Sequence, residues 1–237
     1  MRFETPLLEG RLIRRYKRFF ADVELADGAT VTAHCPNTGS LMGCLTPGSR
    51  VWLSRAANPA RKLAFTWELV EVGPTRVGIH TGRSNALVRE AIEGGAMPSL
   101  AGYSAIRREV PYGRHPSRID LLLEGEQGRC YVEVKNVTAA VEQGMALFPD
   151  AVSERGTRHL REMIGMVEAG HRAVLVFCVQ REDVDEVRPA DAIDPQYGRA
   201  LREALVQGVE VLAYRAVVNP EEVTLRDAVP VVCPSLV

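Results

Sequence analysis

Residues Ser117–Lys135, SRIDLLLEGEQGRCYVEVK, contain two runs of alternating polar and apolar residues on either side of a turn at Gly125–Gly128. Alternation with a period of two, interrupted by a short glycine-bounded turn, predicts a β-hairpin. One set of alternate positions is entirely apolar and is expected to face the core: Ile119, Leu121, Leu123, Cys130, Val132 and Val134. The other set carries most of the charge of the hairpin.

A four-residue turn fixes which residues of the two strands face each other. Counting outward from residues 125–128 predicts the pairs Glu124–Arg129, Leu122–Tyr131 and Asp120–Glu133, with Lys135 farther along the same face. Opposed carboxylates would have their Cβ atoms about 5 Å apart and would repel each other. Solvent, protonation or a bound cation such as Mg²⁺ could relieve this repulsion. The charges could therefore be ordinary solvated groups or a metal site.

Several blocks of the sequence resemble a known family. Ile119-Asp120 followed by Val132-Glu133-Val134-Lys135 is similar to the D…ExK core of the PD-(D/E)xK nuclease superfamily. The resemblance to the sugar fermentation stimulation protein A (SfsA) family extends over nearly the whole chain. It rests on residues 117–120 and on five further blocks: Tyr16-Lys17-Arg18-Phe19, His34-Cys35-Pro36-Asn37-Thr38-Gly39, Thr66-Trp67-Glu68-Leu69, Phe148-Pro149-Asp150-Ala151 and Glu154-Arg155-Gly156.

The resemblance implies both a fold and a site. It implies an OB-fold-like β-barrel over residues 1–82, followed over residues 83–237 by a nuclease-like α/β domain with a mixed sheet (α+β overall). Asp120 and Glu133 would bind Mg²⁺ or Mn²⁺, with the Val134 carbonyl as a further ligand. Lys135 would orient water or stabilise the phosphate, and Glu90 would be an accessory ligand or base on a helix.

The patterns outside the hairpin agree with this division. About five short strands before residue 82, with a turn signal at Asp27-Gly28, indicate a small barrel. A helix is expected from Ser84 or Asn85 to Ile92, and further helices from Ser153 to Glu168 and from Asp194 to near Gly208. The apolar run at 173–179 predicts a strand buried on both faces, and 209–218 predicts another. Residues 138–149 are expected to form a linker.

Composition limits the class of protein. The 237 residues are 46% apolar and 25% charged, with a formal net charge of −1, which is ordinary for a globular protein. No apolar run approaches the ~20 residues that span a bilayer, and the N-terminus lacks the apolar core of a signal peptide. Five cysteines without CxxC spacing indicate reduced thiols. We therefore expect a cytoplasmic protein without a membrane anchor.

Two cationic segments are candidates for contact with phosphates. The first has five cations within eight positions and no acid among them: Arg11, Arg14, Arg15, Lys17 and Arg18. The second is the pair Arg155 and His159, four residues apart on one face of a predicted helix. Each segment could equally be a solvated face, or it could bind the backbone of a nucleic acid.

These observations favour a Mg²⁺- or Mn²⁺-dependent DNA nuclease. The alternative is a DNA-binding regulator of sugar metabolism that retains a nuclease fold without cutting. RNA is a further possible substrate, because nothing in the sequence reports on recognition of the 2′-OH. A homodimer is also possible, since the strand-like residues 229–232 could pair with a partner.

Overall fold

The N-terminal part of the chain forms a closed five-stranded barrel. The structure is a computed structural model that describes residues 1–58, 60–113, 117–142 and 144–234. The barrel strands are β1 (Leu8–Tyr16), β2 (Phe20–Leu25), β3 (Thr30–His34), β4 (Arg50–Arg55) and β5 (Phe65–Val72). Their order is β3-β2-β1-β4-β5, and a parallel contact between β3 and β5 closes the ring. Strand β6 (Thr75–Gly78) extends the sheet beyond β5. The expected OB-fold-like barrel is confirmed.

The barrel follows from local sequence signals. In β2, Ala21 and Val23 alternate with more exposed residues and lie fully buried in the barrel interior. The turn predicted at Asp27-Gly28 joins β2 to β3, and Gly28 has φ +81, which favours glycine. The Asp27 carboxylate accepts the Ala29 N–H there.

The rest of the chain is built around a six-stranded mixed sheet of order β15-β14-β12-β9-β8-β7, in which β9, β12 and β14 are parallel. The α/β expectation for this region is therefore confirmed. In chain order its elements are α1 (Ser84–Glu93), β7 (Ala105–Tyr112), β8 (Ser117–Gly125), β9 (Gly128–Val137), β10 (Ala140–Glu142), β11 (Gly144–Phe148), α2 (Glu154–Glu168), β12 (Arg172–Val179), β13 (Val184–Pro189), α3 (Pro195–Val206), β14 (Glu210–Val218) and β15 (Val223–Val229).

Both faces of this sheet are covered. The α1 residues Leu87 and Val88 share one buried cluster with the barrel residues Trp52 and Leu69. The second face is covered by α2 and α3, whose buried side chains pack against β12. Side chains on either face of the central strands are therefore removed from water.

Residues 138–149 were expected to form a linker, and this was wrong. The segment contains β10 and β11, which form a three-stranded sheet with β13. Strand β11 runs parallel to β13, and a pairing partner so far along the chain leaves no local signal. Residues 230–232 also pair with Val187 of the same chain. One edge of this strand-like segment is therefore engaged within the chain.

Two expectations from composition can be compared with the structure. Within the described residues, no helix combines the length and the apolar character needed to cross a bilayer. The five cysteines are free thiols, as expected, and all except Cys233 are buried.

Candidate metal and phosphate site

The β8–β9 hairpin has the predicted register as far as Leu121 and Val132, but the third predicted pair, Asp120–Glu133, is not among its paired residues. Glu124 lies opposite Arg129, and Leu122 lies opposite Tyr131. The paired register ends at Leu121 and Val132. Beyond it, the carboxylate of Asp120 accepts the Val134 N–H at 2.8 Å through Oδ2. Asp120 therefore lies where the two strands begin to separate, and its side chain reaches across to β9.

Ile119 is buried but lies in a different cluster from the one expected. It packs with Tyr112, Leu122 and Tyr131, whereas Leu121 belongs to the cluster around α1. In the ladder between β7 and β8, Glu109 and Asp120 lie opposite each other but are not paired. Glu109 has φ +51, in the left-handed region. The alternation of faces that holds for residues 121–134 does not extend to Ile119, which lies next to this irregularity.

Helix α1 supplies the other contact to Asp120. Asn85, in the first turn of α1, donates from Nδ2 to Asp120 Oδ1 at 2.8 Å. Next to it, Ser84 donates to the side-chain oxygen of Asn136 at 2.9 Å. Both oxygens of Asp120 thus accept a hydrogen bond, and the start of α1 is fixed against the end of β9. From the sequence, Asn85 was expected only to stand at the start of this helix.

Glu133 is the most unusual carboxylate of the site. Its side chain is only 3% exposed, so it is not a solvated surface charge. Oε1 accepts a hydrogen bond from Lys135 Nζ at 2.6 Å and also contacts His159 Nδ1. Oε2 is buried and has no hydrogen-bond partner among the described residues. An ionised carboxylate normally satisfies both oxygens when buried, so this oxygen needs an explanation.

Burial and mutual repulsion affect the two acids differently. Burial, followed by repulsion from Glu133, raises the pKa of Asp120 to about 6 despite its hydrogen bonds with Val134 and Asn85. Burial also opposes ionisation of Glu133, but the hydrogen bond with His159 and the charge of Lys135 outweigh it and lower its pKa. Ionisation is therefore favoured at Glu133, and the charge of Glu133 makes ionisation of Asp120 less favourable.

Helix α2 brings His159 to Glu133. The helix begins after Ser153, whose hydroxyl oxygen accepts the Gly156 N–H at 3.1 Å, as expected for an N-cap. His159 is only 4% exposed, and Arg155 Nε donates to its Nε2 at 3.2 Å. Both ring nitrogens are therefore used inside the protein. This arrangement does not fit the expected contact of His159 with phosphate.

Glu90 lies elsewhere on α1. Its side chain is half exposed and pairs with the Met1 amino group at 2.8 Å. Among the described residues, no group of three or more His, Cys, Asp or Glu side chains is arranged to hold a metal ion. The structure therefore does not bring Glu90 together with Asp120 and Glu133 as a three-carboxylate site.

The cationic residues of β1 have different surroundings. Arg15 Nη2 donates to the carbonyl oxygens of Arg18, Asn37 and Gly39 at 2.9–3.1 Å. The Arg15 guanidinium thus links two loops through hydrogen bonds within the protein. The exposed members of the set are Arg11, which binds the Gly48 carbonyl, Arg14, which pairs with Asp22, and Lys17 and Arg18, which form the turn before β2.

A cleft of about 440 Å³ lies between the barrel and the part of the chain that contains the six-stranded mixed sheet. At its rim, Asp150 Oδ2 accepts the Leu41 N–H at 3.0 Å and the Ser40 hydroxyl at 3.2 Å. The two walls are therefore joined. Residues from both parts line the cleft, and they include Arg18, Asn37, Asn85, Lys135, Asp150 and Ser153. Lys135 thus lies in the cleft with one predicted phosphate-binding arginine.

Two family profiles match this chain, one in each of its two parts. The N-terminal OB domain profile of SfsA matches residues 13–79, and the profile of the sugar fermentation stimulation protein RE domain matches residues 82–222. The chain belongs to the SfsA family. The two profiles meet close to the predicted division at residues 82 and 83, and the second contains Asp120, Glu133 and Lys135.

SfsA relatives match along almost the whole chain. The sugar fermentation stimulation protein homolog of Geobacter metallireducens is 62% identical over 232 residues, covering 98% of this chain and 100% of the relative. That of Thioalkalivibrio sulfidiphilus is 62% identical over 226 residues, with 95% of each protein covered. The structure of Pyrococcus furiosus SfsA in complex with Ca²⁺ aligns with a TM-score of 0.88 and 30% identity, covering 98% of this chain and 97% of that one.

Proposed function

We propose that this SfsA-family protein binds DNA and hydrolyses phosphodiester bonds with the help of Mg²⁺ or Mn²⁺. The observation that carries the proposal is Glu133 Oε2, a buried carboxylate oxygen without a hydrogen-bond partner in the described part of the chain. Next to it is Asp120, whose pKa is raised by burial and by the charge of Glu133. A divalent cation between the two acids would give Glu133 Oε2 a partner and would reduce the repulsion between Asp120 and Glu133.

The residues present fit a hard divalent cation. Mg²⁺ and Mn²⁺ prefer oxygen ligands and are usually held by one or two carboxylates together with water and substrate phosphate. Asp120 and Glu133 would supply the carboxylates and Val134 a backbone carbonyl. Lys135 and His159 both engage Oε1 of Glu133 and leave Oε2 for the metal. The P. furiosus relative, described in complex with Ca²⁺, supports a site for a hard cation in the family.

The chain's own residues would contribute positioning and charge. When bound, the metal would polarise the phosphate and favour ionisation of a water molecule. Lys135 is held by Glu133 and lines the cleft, so its ammonium would stabilise the negative charge that develops on the phosphate. Asn85 and the Val134 N–H hold Asp120 in place. Glu90, paired with Met1, is not required in this scheme.

The cationic turn would bind the nucleic-acid backbone. Arg18 lines the same cleft as Lys135. The exposed Arg11 and Arg14 lie on β1, and the exposed Lys17 follows its last residue. Such cations contact phosphates without reading sequence. Arg155, exposed at the start of α2, would support the site indirectly through His159. We favour DNA, and RNA is tested alongside it.

The proposal also includes a setting. We place the activity in the cytoplasm, which the five free thiols favour. A homodimer through residues 230–232 would have to use the edge that does not pair with Val187.

Glu133→Gln and Lys135→Ala test the proposal directly. Losing one preorganised charge costs about 10²–10³ in rate, so cleavage with Mg²⁺ or Mn²⁺ should fall by that factor or more in both variants. Binding of Glu133→Gln to DNA in EDTA should persist, because the change removes a negative charge near phosphate. The matched control is Glu126→Gln, the same change in the exposed turn of the same hairpin, which should cut normally.

The result that would overturn the proposal is equally specific. A parent protein that binds DNA tightly in EDTA and cuts neither DNA nor RNA with either metal is not a nuclease. It would instead be the non-cleaving regulator.

A further inference from the structure

The two oxygens of Glu133 have opposite surroundings. Oε1 has two neighbours that can donate a hydrogen bond, Lys135 Nζ and His159 Nδ1. Oε2, on the same carboxylate, has none among the described residues, although it is buried. Rotation of the carboxyl group would exchange the two oxygens, so the contacts to Oε1 determine which oxygen is left free.

The hydrogen bond from Arg155 settles which nitrogen of His159 carries its proton. A guanidinium can only donate, and Arg155 Nε donates to His159 Nε2 at 3.2 Å. Nε2 is therefore the acceptor, and the ring proton lies on Nδ1. The Lys135 ammonium is 3.5 Å from Nδ1 but donates to Oε1 of Glu133 at 2.6 Å, so its shorter hydrogen bond is to the carboxylate and not to the imidazole. Nδ1 then donates to Oε1 of Glu133. Arg155, His159 and Glu133 form a chain of hydrogen bonds with one direction.

We propose that His159, oriented by Arg155, is a positioning residue that holds Glu133 with Oε2 presented to the metal. The proposal rests on the proposed function, because it assigns a role toward the same cation. Hydrogen bonds that orient a metal-binding side chain affect the site strongly, and their loss typically lowers metal affinity about 10–100-fold. His159 thus acts through Glu133 and does not contact the substrate.

The position of His159 on α2 explains why it can take this role. It is buried next to Leu160, which packs into the core beneath the helix. Arg155, one turn earlier, is exposed. The spacing of four residues lets the arginine reach the imidazole from the solvent side. The Arg155–His159 pair therefore links the surface to a buried carboxylate.

Mn²⁺ affinity, measured by calorimetric titration without nucleic acid, tests the proposal. His159→Ala removes the donor and should weaken Mn²⁺ binding about 10–100-fold. His159→Asn can place an amide N–H near the position of Nδ1 and should restore most of the affinity. Arg155→Met keeps an extended side chain but frees Nε2, so its loss should be smaller than that of His159→Ala. Arg158→Met, an exposed arginine on the same helix, is the matched control and should bind Mn²⁺ like the parent.

The outcomes separate this inference from the proposed function. A parent protein that binds no Mn²⁺ and cuts nothing would overturn the proposed function. A parent that binds Mn²⁺, with His159→Ala and Arg155→Met binding equally well, would overturn the positioning role alone. If His159→Ala does not fold by near-UV circular dichroism, Arg155→Met and His159→Asn decide. If His159→Ala and Arg155→Met lose DNA affinity in EDTA and keep the Mn²⁺ affinity of the parent, the pair contacts phosphate and does not position Glu133.

Discussion

Glu68 and Glu133 are both deeply buried, but their carboxylates have opposite surroundings. Glu68, in the barrel strand β5, is 1% exposed. Its Oε1 accepts hydrogen bonds from Arg83 and Ser54, and its Oε2 accepts a second one from Arg83, all at 2.6 Å. Glu133, in β9, is 2% exposed. Its hydrogen-bond partners all lie at Oε1, and Oε2 has none among the described residues.

The difference indicates which acid is structural. The Arg83 guanidinium binds Glu68 through both oxygens, so neither oxygen of Glu68 lacks a hydrogen-bond donor. Glu133 has an oxygen that nothing in the described structure satisfies, and a buried polar atom in this state costs roughly 1–3 kcal/mol. Such a cost is common at functional sites, where the ligand provides the missing partner. Burial alone would not have distinguished the two residues.

The sharpest test exchanges the same atoms at both sites. Glu133→Gln should lose about 10²–10³ in cleavage rate, whereas Glu68→Gln should retain the parent rate whenever it is folded. Single-turnover cleavage at saturating Mn²⁺ measures both. Equal loss of rate in the two variants would mean that Glu133 acts only through folding.

Stability should show the reverse order. Glu68→Gln leaves Arg83 facing an amide group, and breaking a buried ion pair costs about 3–5 kcal/mol. We expect the lower end, about 3 kcal/mol, because Arg83 is 25% exposed. Glu133→Gln should cost only about 1 kcal/mol, since the amide oxygen can still accept from Lys135. Urea unfolding without metal measures both, and a larger loss in Glu133→Gln would contradict the comparison.

Metal should stabilise one site and leave the other unaffected. Mn²⁺ at 100 times its dissociation constant should raise the free energy of unfolding by about 2.7 kcal/mol in the parent and in a folded Glu68→Gln. The gain should vanish in Glu133→Gln. Thermal unfolding against Mn²⁺ concentration measures this, and a persistent gain in Glu133→Gln would place the metal elsewhere.

The pH dependence of stability should expose the repulsion between the two acids. The pKa of Asp120 is raised from 3.8 to about 6, so between these values the folded state holds a proton that the unfolded state has lost. Asp120 should therefore make the metal-free protein less stable as pH rises from 4 to 6, by about 2–3 kcal/mol. Glu133 has a lowered pKa, so its contribution is present above about pH 4.5 and is lost only on further acidification.

Asp120→Asn is the check on this prediction. The variant should lose the fall in stability between pH 4 and 6, as measured by urea unfolding at several pH values. The same slope in parent and variant would show that Asp120 is not the group responsible.

The smallest effects should come from the cationic stretch. Replacing Arg11 and Arg18 together with Ala should reduce the slope of log K against log salt for DNA binding by about 0.7–0.9 for each lost contact. Arg15→Ala should instead destabilise the protein, because Arg15 binds the carbonyl oxygens of Arg18, Asn37 and Gly39. An unchanged slope in the double variant would make these residues a solvated face.

Local patterns in the sequence were sufficient for the elements and for the register of the central hairpin. The turn at residues 125–128 fixed the pairs Glu124–Arg129 and Leu122–Tyr131, and the structure confirms them. The cap signals at Ser153 and Asp194 also mark where α2 and α3 begin. These features depend on residues a few positions apart, whose spacing is visible in the sequence.

The sequence by itself determined the barrel, the hairpin and the presence of two carboxylates and a lysine near its open end. Only the tertiary structure decided that α2 covers Glu133, that His159 reaches it from 26 residues away, and that Glu90 pairs instead with Met1. It also decided that Ala140–Glu142 and Gly144–Phe148 form strands. The physical reason is that periodicity reports which side of an element is apolar. Which distant segment packs against that side, and which oxygen it leaves unsatisfied, depends on the packing of the whole chain.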